Sequence, residues 1–351
     1  MRKVKIIVIG SSGRLGIKII HEIINLHGVE SLIVSDYKKK RLDELRSYLE
    51  SKYNEKIDSE VINYRSIESI EAGIKNSSLV IVAAAQLEPL VQRACINLKI
   101  NCIDLSVSKT FLAKSLELNE EAIQSGVALF VAAGLFPGFS GIVAKDLSLK
   151  YPEEIINISL IQSRNGIAGS SGIADMLELL DDNVEYYTKD SKSLKKGFGF
   201  YNIIKTESRF GDVKFRLANF IERDYLISCT HLVSNYWTAF DSEFMNLSIS
   251  ILRKIGILSL FKNPKYRLKL SDLIQKKLES NLNENVAILG GIEEKLVYNF
   301  QFESDYGGTA ACVVAFGDLL LENKYFINGV LFPFQIFNLE MILAKVKHKF
   351  I

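Results

Sequence analysis

Cysteine, histidine, proline and tryptophan are all scarce in this chain, and neither sign of charge prevails. Its 351 residues include four cysteines, four histidines, five prolines and one tryptophan. Cys95, Cys102, Cys229 and Cys312 make no CxxC pair and no cysteine–histidine spacing of zinc type. That argues against a metal site and fits reduced thiols in a cytoplasmic protein. Forty-three basic against forty-one acidic side chains leave a formal charge of +2, so no whole-chain basic excess points to nucleic acid. The amino-terminal apolar run in MRKVKIIVIGSSG is too short for a signal-peptide core. Fixed-period repeats and low-complexity segments are missing too. What is present, 48% apolar and 24% charged residues, is the composition of a folded chain, and the length favours two domains.

One stretch carries no charge over eighteen residues, Val127 to Ala144, VALFVAAGLFPGFSGIVA. Its length meets the threshold for a membrane-spanning helix. Two glycines and a proline at its midpoint would break such a helix, so the stretch reads as a strand at Val127–Ala132, a turn at Gly134–Gly138 and a helix from Phe139. No membrane partner is expected.

The first third alternates strand and helix. Val4–Ile9 is a β-branched apolar run of the kind buried on both faces of a parallel sheet. It ends in Gly10-Ser11-Ser12-Gly13-Arg14-Leu15-Gly16, and a helix follows in which Leu15, Ile19, Ile20, Ile23 and Ile24 form the apolar side. Arg14, Lys18, His21, Glu22 and Asn25 make the solvated side, which leaves His21 a poor catalytic candidate. Small residues between a strand and a helix let a backbone approach a pyrophosphate whose charge meets the helix N-terminus. All seven residues from Gly10 to Gly16 are therefore candidate cofactor contacts. Asp36 ends the next strand, twenty residues beyond Gly16, where a carboxylate binds an adenosine ribose hydroxyl. The charge block Lys38-Lys39-Lys40-Arg41 follows at once, and its lysines could receive a 2′-phosphate or simply open a solvated helix. NAD and NADP both stay open. Further strands are expected at Val61-Ile62, Leu79–Ala85, Asn101–Leu105 and Val127–Ala132, with Ala84 and Ala85 at a cofactor-facing strand end. The pattern predicts an α/β fold, a Rossmann-type doubly wound parallel sheet over residues 1–145.

At this point the chain resembles the saccharopine dehydrogenase-like family, the group that includes saccharopine reductase and carboxynorspermidine dehydrogenase. The likeness rests on GSSGRLG at Gly10, the Val80–Ala85 strand, CIDLS at Cys102 and AGLFPGFSGIVAKDL at Ala133, with weaker echoes at Arg164 and at Tyr306–Pro333. One departure is Pro333-Phe334-Gln335, where the family often carries Pro-Glu. GRLG is also similar to the glycine loop of dihydrodipicolinate reductase, whose paired-histidine element has no counterpart here. The resemblance implies an NAD(P)H-dependent oxidoreductase acting on the C–N bond of an amino-acid-like small molecule. It also implies that Gly134 and Pro137 lie beside the active cleft, and that helices in 309–351 return to the first domain.

Residues 146–308 read as an α+β substrate or dimerisation domain with a mixed or antiparallel sheet. Strands are expected at Ile155–Ile161, Phe198–Lys205, Val213–Ala218, Leu226–Thr230 and Glu294–Phe302, and helices at Phe240–Gly256 and Leu268–Leu282. Helices are also expected at Thr309–Leu321 and Pro333–Lys347, and apolar Phe332–Met341 could form a homodimer contact. Ser170 and Ser171, before a helix, offer hydroxyls and amides to a substrate carboxylate, and Arg164 and Arg223 are candidate bidentate partners for it. Reduction of an imine needs a proton at nitrogen. Asp104 at a strand end is the leading candidate for the catalytic acid, ahead of Ser106, Lys109 and His231. Because no essential catalytic residue stands out, a dinucleotide-binding regulatory or scaffold protein without turnover is the alternative reading.

Overall fold

The computed structural model describes residues 4–163, 183–204, 210–230, 232–257, 263, 266, 269–271, 285–293, 295–322, 327–346 and 350. They fall into two compact units, Met1–Gly138 with Thr309–Phe337, and Phe139–Gly308 with Asn338–Ile351.

In the first unit, strands β1 (Ile6–Ile9), β2 (Leu32–Asp36), β3 (Asp58–Val61), β4 (Leu79–Val82), β5 (Asn101–Asp104) and β6 (Ala128–Phe130) alternate with helices. The helices are α1 (Arg14–His27), α2 (Lys39–Tyr53), α3 (Ile67–Ile74), α4 (Leu90–Leu98), α5 (Lys109–Leu116) and α6 (Asn119–Ser125). A last strand, β15 (Gly329–Leu331), completes an all-parallel sheet in the order β15-β6-β5-β4-β1-β2-β3. Composition follows position. Central β1 and β4, IIVI and LVIV, are buried at every residue, whereas edge strand β3, DSEV, is largely exposed. Chain order reverses between β1 and β4, so the loops leaving those two strands diverge at a topological switch point, the usual ligand position in an open α/β sheet.

Helix α10 (Asp305–Leu321) contributes its residues from Thr309 onward to this unit. A side chain at Gly317 would reach to 2.8 Å of Leu79, so the helix lies directly on the sheet, and Ala310–Phe316 are buried throughout. A helix apolar all round suits burial between layers. Its charge near the end, Asp318, meets His27 of α1 at 2.7 Å. Glu22 is only 5% exposed, in contrast to the solvated face expected for it. Its charge raises the pKa of Cys312, secondarily to burial, which puts this face of α1 close to α10.

The second unit holds a six-stranded mixed sheet, ordered β10 (Tyr201–Ile204), β11 (Val213–Leu217), β12 (Ser234–Phe240), β7 (Ile156–Gln162), β13 (Val286–Ile292) and β14 (Lys295–Phe302). Only β12 and β7 pair in parallel; the other neighbours are antiparallel. One face packs Ile161, Phe215, Leu217, Trp237 and Leu289 against Val184 of the hairpin β8 (Asn183–Tyr187) and β9 (Lys192–Lys196). The other is met by α7 (Phe139–Lys150), whose Val143 side chain would lie 2.8 Å from a Cβ at Gly290.

Several elements differ from the sequence expectation. Leu226–Thr230 is the second half of helix α8 (Ile221–Thr230), not a strand. Phe240 ends β12, and α9 (Glu243–Lys254) begins only where Ser242 caps it, accepting from the Met245 N–H at 3.3 Å. Pro333–Lys347 is not one helix: Phe337 is extended between α11 (Pro333–Ile336) and α12 (Leu339–Val346), and Asn338 Oδ1 accepts the Met341 N–H to start the second. Residues 338–351 also belong with the second unit rather than returning to the first, since Phe350 bridges to Phe302 and its ring meets those of Phe300 and Phe302. Phe332, Phe334, Phe337 and Leu339 of the run expected to form a subunit contact are at most 4% exposed, whereas Ile336 and Met341 are half-buried.

Candidate functional site

The glycine loop is built from the end of β1 and anchored to β2. Gly10 N–H and Ser11 N–H both donate to the Ser35 carbonyl, at 3.0 and 2.9 Å. Ser11 Oγ donates to the Val8 carbonyl at 2.6 Å and accepts the Ser35 N–H at 2.8 Å. Fully buried, Ser11 thus ties two strands together, a structural duty rather than the cofactor contact expected of it.

Gly16 and Gly13 differ in what they permit. A Cβ on Gly16 would lie 2.2 Å from the Gly10 carbonyl oxygen, so its absence lets α1 pack onto the loop. A Cβ on Gly13 would meet only that same oxygen, at 3.2 Å, and otherwise open space. No side chain caps α1 at Gly13, and its first turn carries no acidic residue. The amides of such a turn lack intrahelical partners and favour an anion. Arg14 opens the helix with a buried Nη1 that has no hydrogen-bond partner among the described residues. Leu15 is half-buried beside it. These features fit the pyrophosphate of a dinucleotide.

Asp36 sits at the carboxyl end of β2, 5% exposed. Ser12 Oγ donates to its Oδ2, and the Lys38 N–H donates to its Oδ1 at 3.0 Å. The carboxylate is therefore held against the loop. Sequence reasoning missed Arg41, whose Nη2 donates to the Ser12 carbonyl at 3.1 Å. Beyond the carboxylate, the rings of Tyr37 and Tyr64 meet edge to face at 5.5 Å.

At the neighbouring strand ends, β4 stops at Val82, which leaves Ala84 and Ala85 in the loop that follows rather than in the strand. Ala84 still borders the glycine loop, 3.0 Å from where a Gly10 side chain would project. Asp104 ends β5 and is 1% exposed. Its Oδ2 accepts from Gln86 Nε2 at 2.7 Å and Gln92 Nε2 at 2.8 Å, and its Oδ1 accepts from the Ser106 N–H at 2.6 Å. Burial pushes the carboxyl up to about 6, opposed by the donors from Ser106, Gln92 and Gln86. Sealed in this way, Asp104 suits holding a loop better than handing a proton to a ligand. Both glutamines were missed, although a glutamine among the buried positions of α4 is the signal that marks Gln92.

The Asp104 carbonyl accepts the Ala133 N–H at 3.1 Å, which fixes the turn at Gly134–Gly138 beside it at the carboxyl edge of the sheet. Gly134 N–H closes the turn on the Pro137 carbonyl at 2.8 Å, and Gly138 has φ +121°. The charge-free stretch is a strand, this turn and a helix, as its composition predicts. Among the described residues no helix is long and apolar enough to cross a membrane, and no cluster of histidine, cysteine and carboxylate side chains could hold a metal ion.

In the second unit, Arg223 is 3% exposed; its guanidinium bonds the Glu185 carbonyl at 2.8 Å and Asp224 at 3.2 Å, and its buried Nε has no hydrogen-bond partner among the described residues. A buried polar group that the sequence reading did not single out lies near it. Ser140 Oγ donates to the fully buried Glu222, and burial with Glu222 alongside raises the Tyr236 phenol. Arg164, Ser170, Ser171 and His231 lie outside the described residues. Lys109 opens α5, half-buried, and His21 is half-buried with Nδ1 2.7 Å from the Tyr53 hydroxyl.

Comparison with known proteins shows what these features are similar to. Residues 6–130 match the family described as saccharopine dehydrogenase NADP binding domain. The apo saccharopine dehydrogenase (L-Glu forming) of Saccharomyces cerevisiae superposes with a TM-score of 0.69 at 12% identity, covering 99% of this chain and 97% of that one. A DAP dehydrogenase of C. glutamicum, in complex with DAP, gives a TM-score of 0.48 at 12% identity over 98% of this chain and 99% of that one. No curated protein matches the chain by sequence. At such identities the superpositions speak to fold alone.

Proposed function

From the match of residues 6–130 to the saccharopine dehydrogenase NADP binding domain, we propose that the chain is an NAD(P)-dependent oxidoreductase acting on the C–N bond of an amino-acid-like substrate. The observation that carries this reading is the glycine loop at the switch point, with Gly13 facing open space and the first turn of α1 free of side-chain cap and acid. When bound, the nicotinamide supplies the hydride for an imine carbon. The chain's own part is to bind the pyrophosphate at the first turn of α1, to hold the ribose at Asp36, and to set the turn at Gly134–Gly138 through Asp104. The second unit is assigned the substrate. Buried thiols at Cys95, Cys102 and Cys312, none in a disulfide, support a reducing, cytoplasmic setting.

A second reading is favoured by one observation, the sealing of Asp104 by three donors, which leaves the described part of the first unit without an assigned proton donor. In it the chain binds a dinucleotide to regulate or scaffold and does not turn over. One experiment separates the two: titration with reduced dinucleotides, then assay of nicotinamide oxidation with panels of amino acids plus oxo acids. Oxidation with a matched pair supports the enzyme, binding without oxidation across the panels supports the second reading, and no binding rejects both.

A further inference from the structure

Although the matching family is described by NADP, we infer that this chain selects NAD(H) over NADP(H), with Asp36 as the specificity-determining residue and Ser12 as the group that locks it. The inference rests on the reading that the glycine loop holds a dinucleotide.

A carboxylate ending the second strand and lying against the glycine loop is positioned for the adenosine ribose hydroxyls. In this chain it cannot swing away. Ser12 Oγ and the Lys38 N–H hold one oxygen each. A carboxylate has about four acceptor sites, so both oxygens retain capacity for the two hydroxyl protons of a ribose diol. A 2′-phosphate offers no proton to replace them and brings about −1.5 to −2 of charge.

The basic block after Asp36 is the counter-argument, and its side chains weigh less. Lys38, Lys39, Lys40 and Arg41 are exposed. Lys38 Nζ lies 5.2 Å from the centre of the Tyr37 ring, and Arg41 spends a donor on the Ser12 carbonyl. Charges in water are screened within about 10 Å at ordinary salt, and buried ones much less. A buried, fixed carboxylate therefore outweighs exposed, screened cations at the same rim. Arg41 becomes a phosphate partner only once the carboxylate charge is gone. Tyr37 and Tyr64, an exposed and a half-buried ring just beyond, offer an aromatic edge to the adenine, common to both dinucleotides.

The test is direct binding, by calorimetry or nicotinamide fluorescence, of NADH and NADPH to the full chain, its Asp36→Asn variant and the Asp36→Asn/Arg41→Ala double variant. Asparagine keeps an acceptor for the Lys38 N–H, while its amide nitrogen can donate to the Ser12 hydroxyl, and circular dichroism checks folding. Wild type is expected to bind NADH at least tenfold more tightly than NADPH. Asp36→Asn should raise NADPH affinity at least fivefold while weakening NADH, and adding Arg41→Ala should remove that gain. If wild type binds NADPH as tightly as NADH, the inference is overturned while the dinucleotide reading stands. If neither binds, competition between 5′-AMP and adenosine 2′,5′-bisphosphate is measured: preference for 5′-AMP retains the assignment of Asp36, and no binding of either overturns both readings. Should Asp36→Asn fail to fold, the wild-type ratio and this competition still decide.

Discussion

Gln92 donates an amide hydrogen to Asp104 across 2.8 Å, and each side chain is 1% exposed. The amide oxygens of Gln92 and of Gln86, which donates to the same carboxylate oxygen, are buried without partners. Protonation of Asp104 would let one amide turn over and accept. With the folded carboxyl near 6 and the ordinary value at 3.8, the folded chain keeps a proton that the unfolded chain has released between those limits. The stability attributable to Asp104 is thus highest below about pH 4, falls as pH rises towards 6 and is level above it, an effect of at most on the order of 3 kcal/mol. Urea unfolding of wild type and Asp104→Asn across this range should show the wild type losing ground to the variant by about 1–3 kcal/mol. Parallel stability curves would remove the raised carboxyl from consideration.

The two glycines of the loop should fail differently. Gly13→Val is expected to abolish dinucleotide binding with little change in melting temperature, since its side chain would project into otherwise open space. Gly16→Val forces atoms onto the Gly10 carbonyl and should cost at least about 2 kcal/mol of stability. Calorimetric titration beside thermal melts distinguishes them, and unchanged affinity in Gly13→Val would falsify the loop assignment.

Ser11→Ala tests the tie between β1 and β2. Removing the hydroxyl strands a buried Ser35 N–H and releases the Val8 carbonyl, so a loss of roughly 1–3 kcal/mol is expected. An unaltered denaturation midpoint would show that the loop is held by its backbone bonds alone.

Gly138→Ala places a Cβ 2.4 Å from the Gly134 carbonyl oxygen at a φ that disfavours side chains. The turn should open and lose its Gly134–Pro137 bond. Turnover, where found, is expected to fall at least tenfold while 5′-AMP affinity, a measure of the adenosine half alone, stays within twofold. Equal losses in both would remove the turn from the nicotinamide end.

What the sequence determined by itself is the part governed by local pattern. A β-branched run, a glycine turn and an amphipathic helix in register suffice to specify a parallel dinucleotide-type unit, because burial on both sheet faces demands continuous apolar strands and a close approach demands glycine. The charge-free stretch was legible for the same reason: glycine and proline cannot continue a helix. Tertiary structure alone decided the rest. Gly329–Leu331 is too short to announce a strand and becomes one by pairing with β6. Leu226–Thr230 is helical rather than extended, and Glu22 is 5% exposed although helical spacing put it on the solvated side. Side-chain duty was the least legible of all. Ser11 and Asp104 each look like ligand contacts by residue type, yet they bond to Ser35 and Gln86, partners that only folding brings within hydrogen-bonding distance.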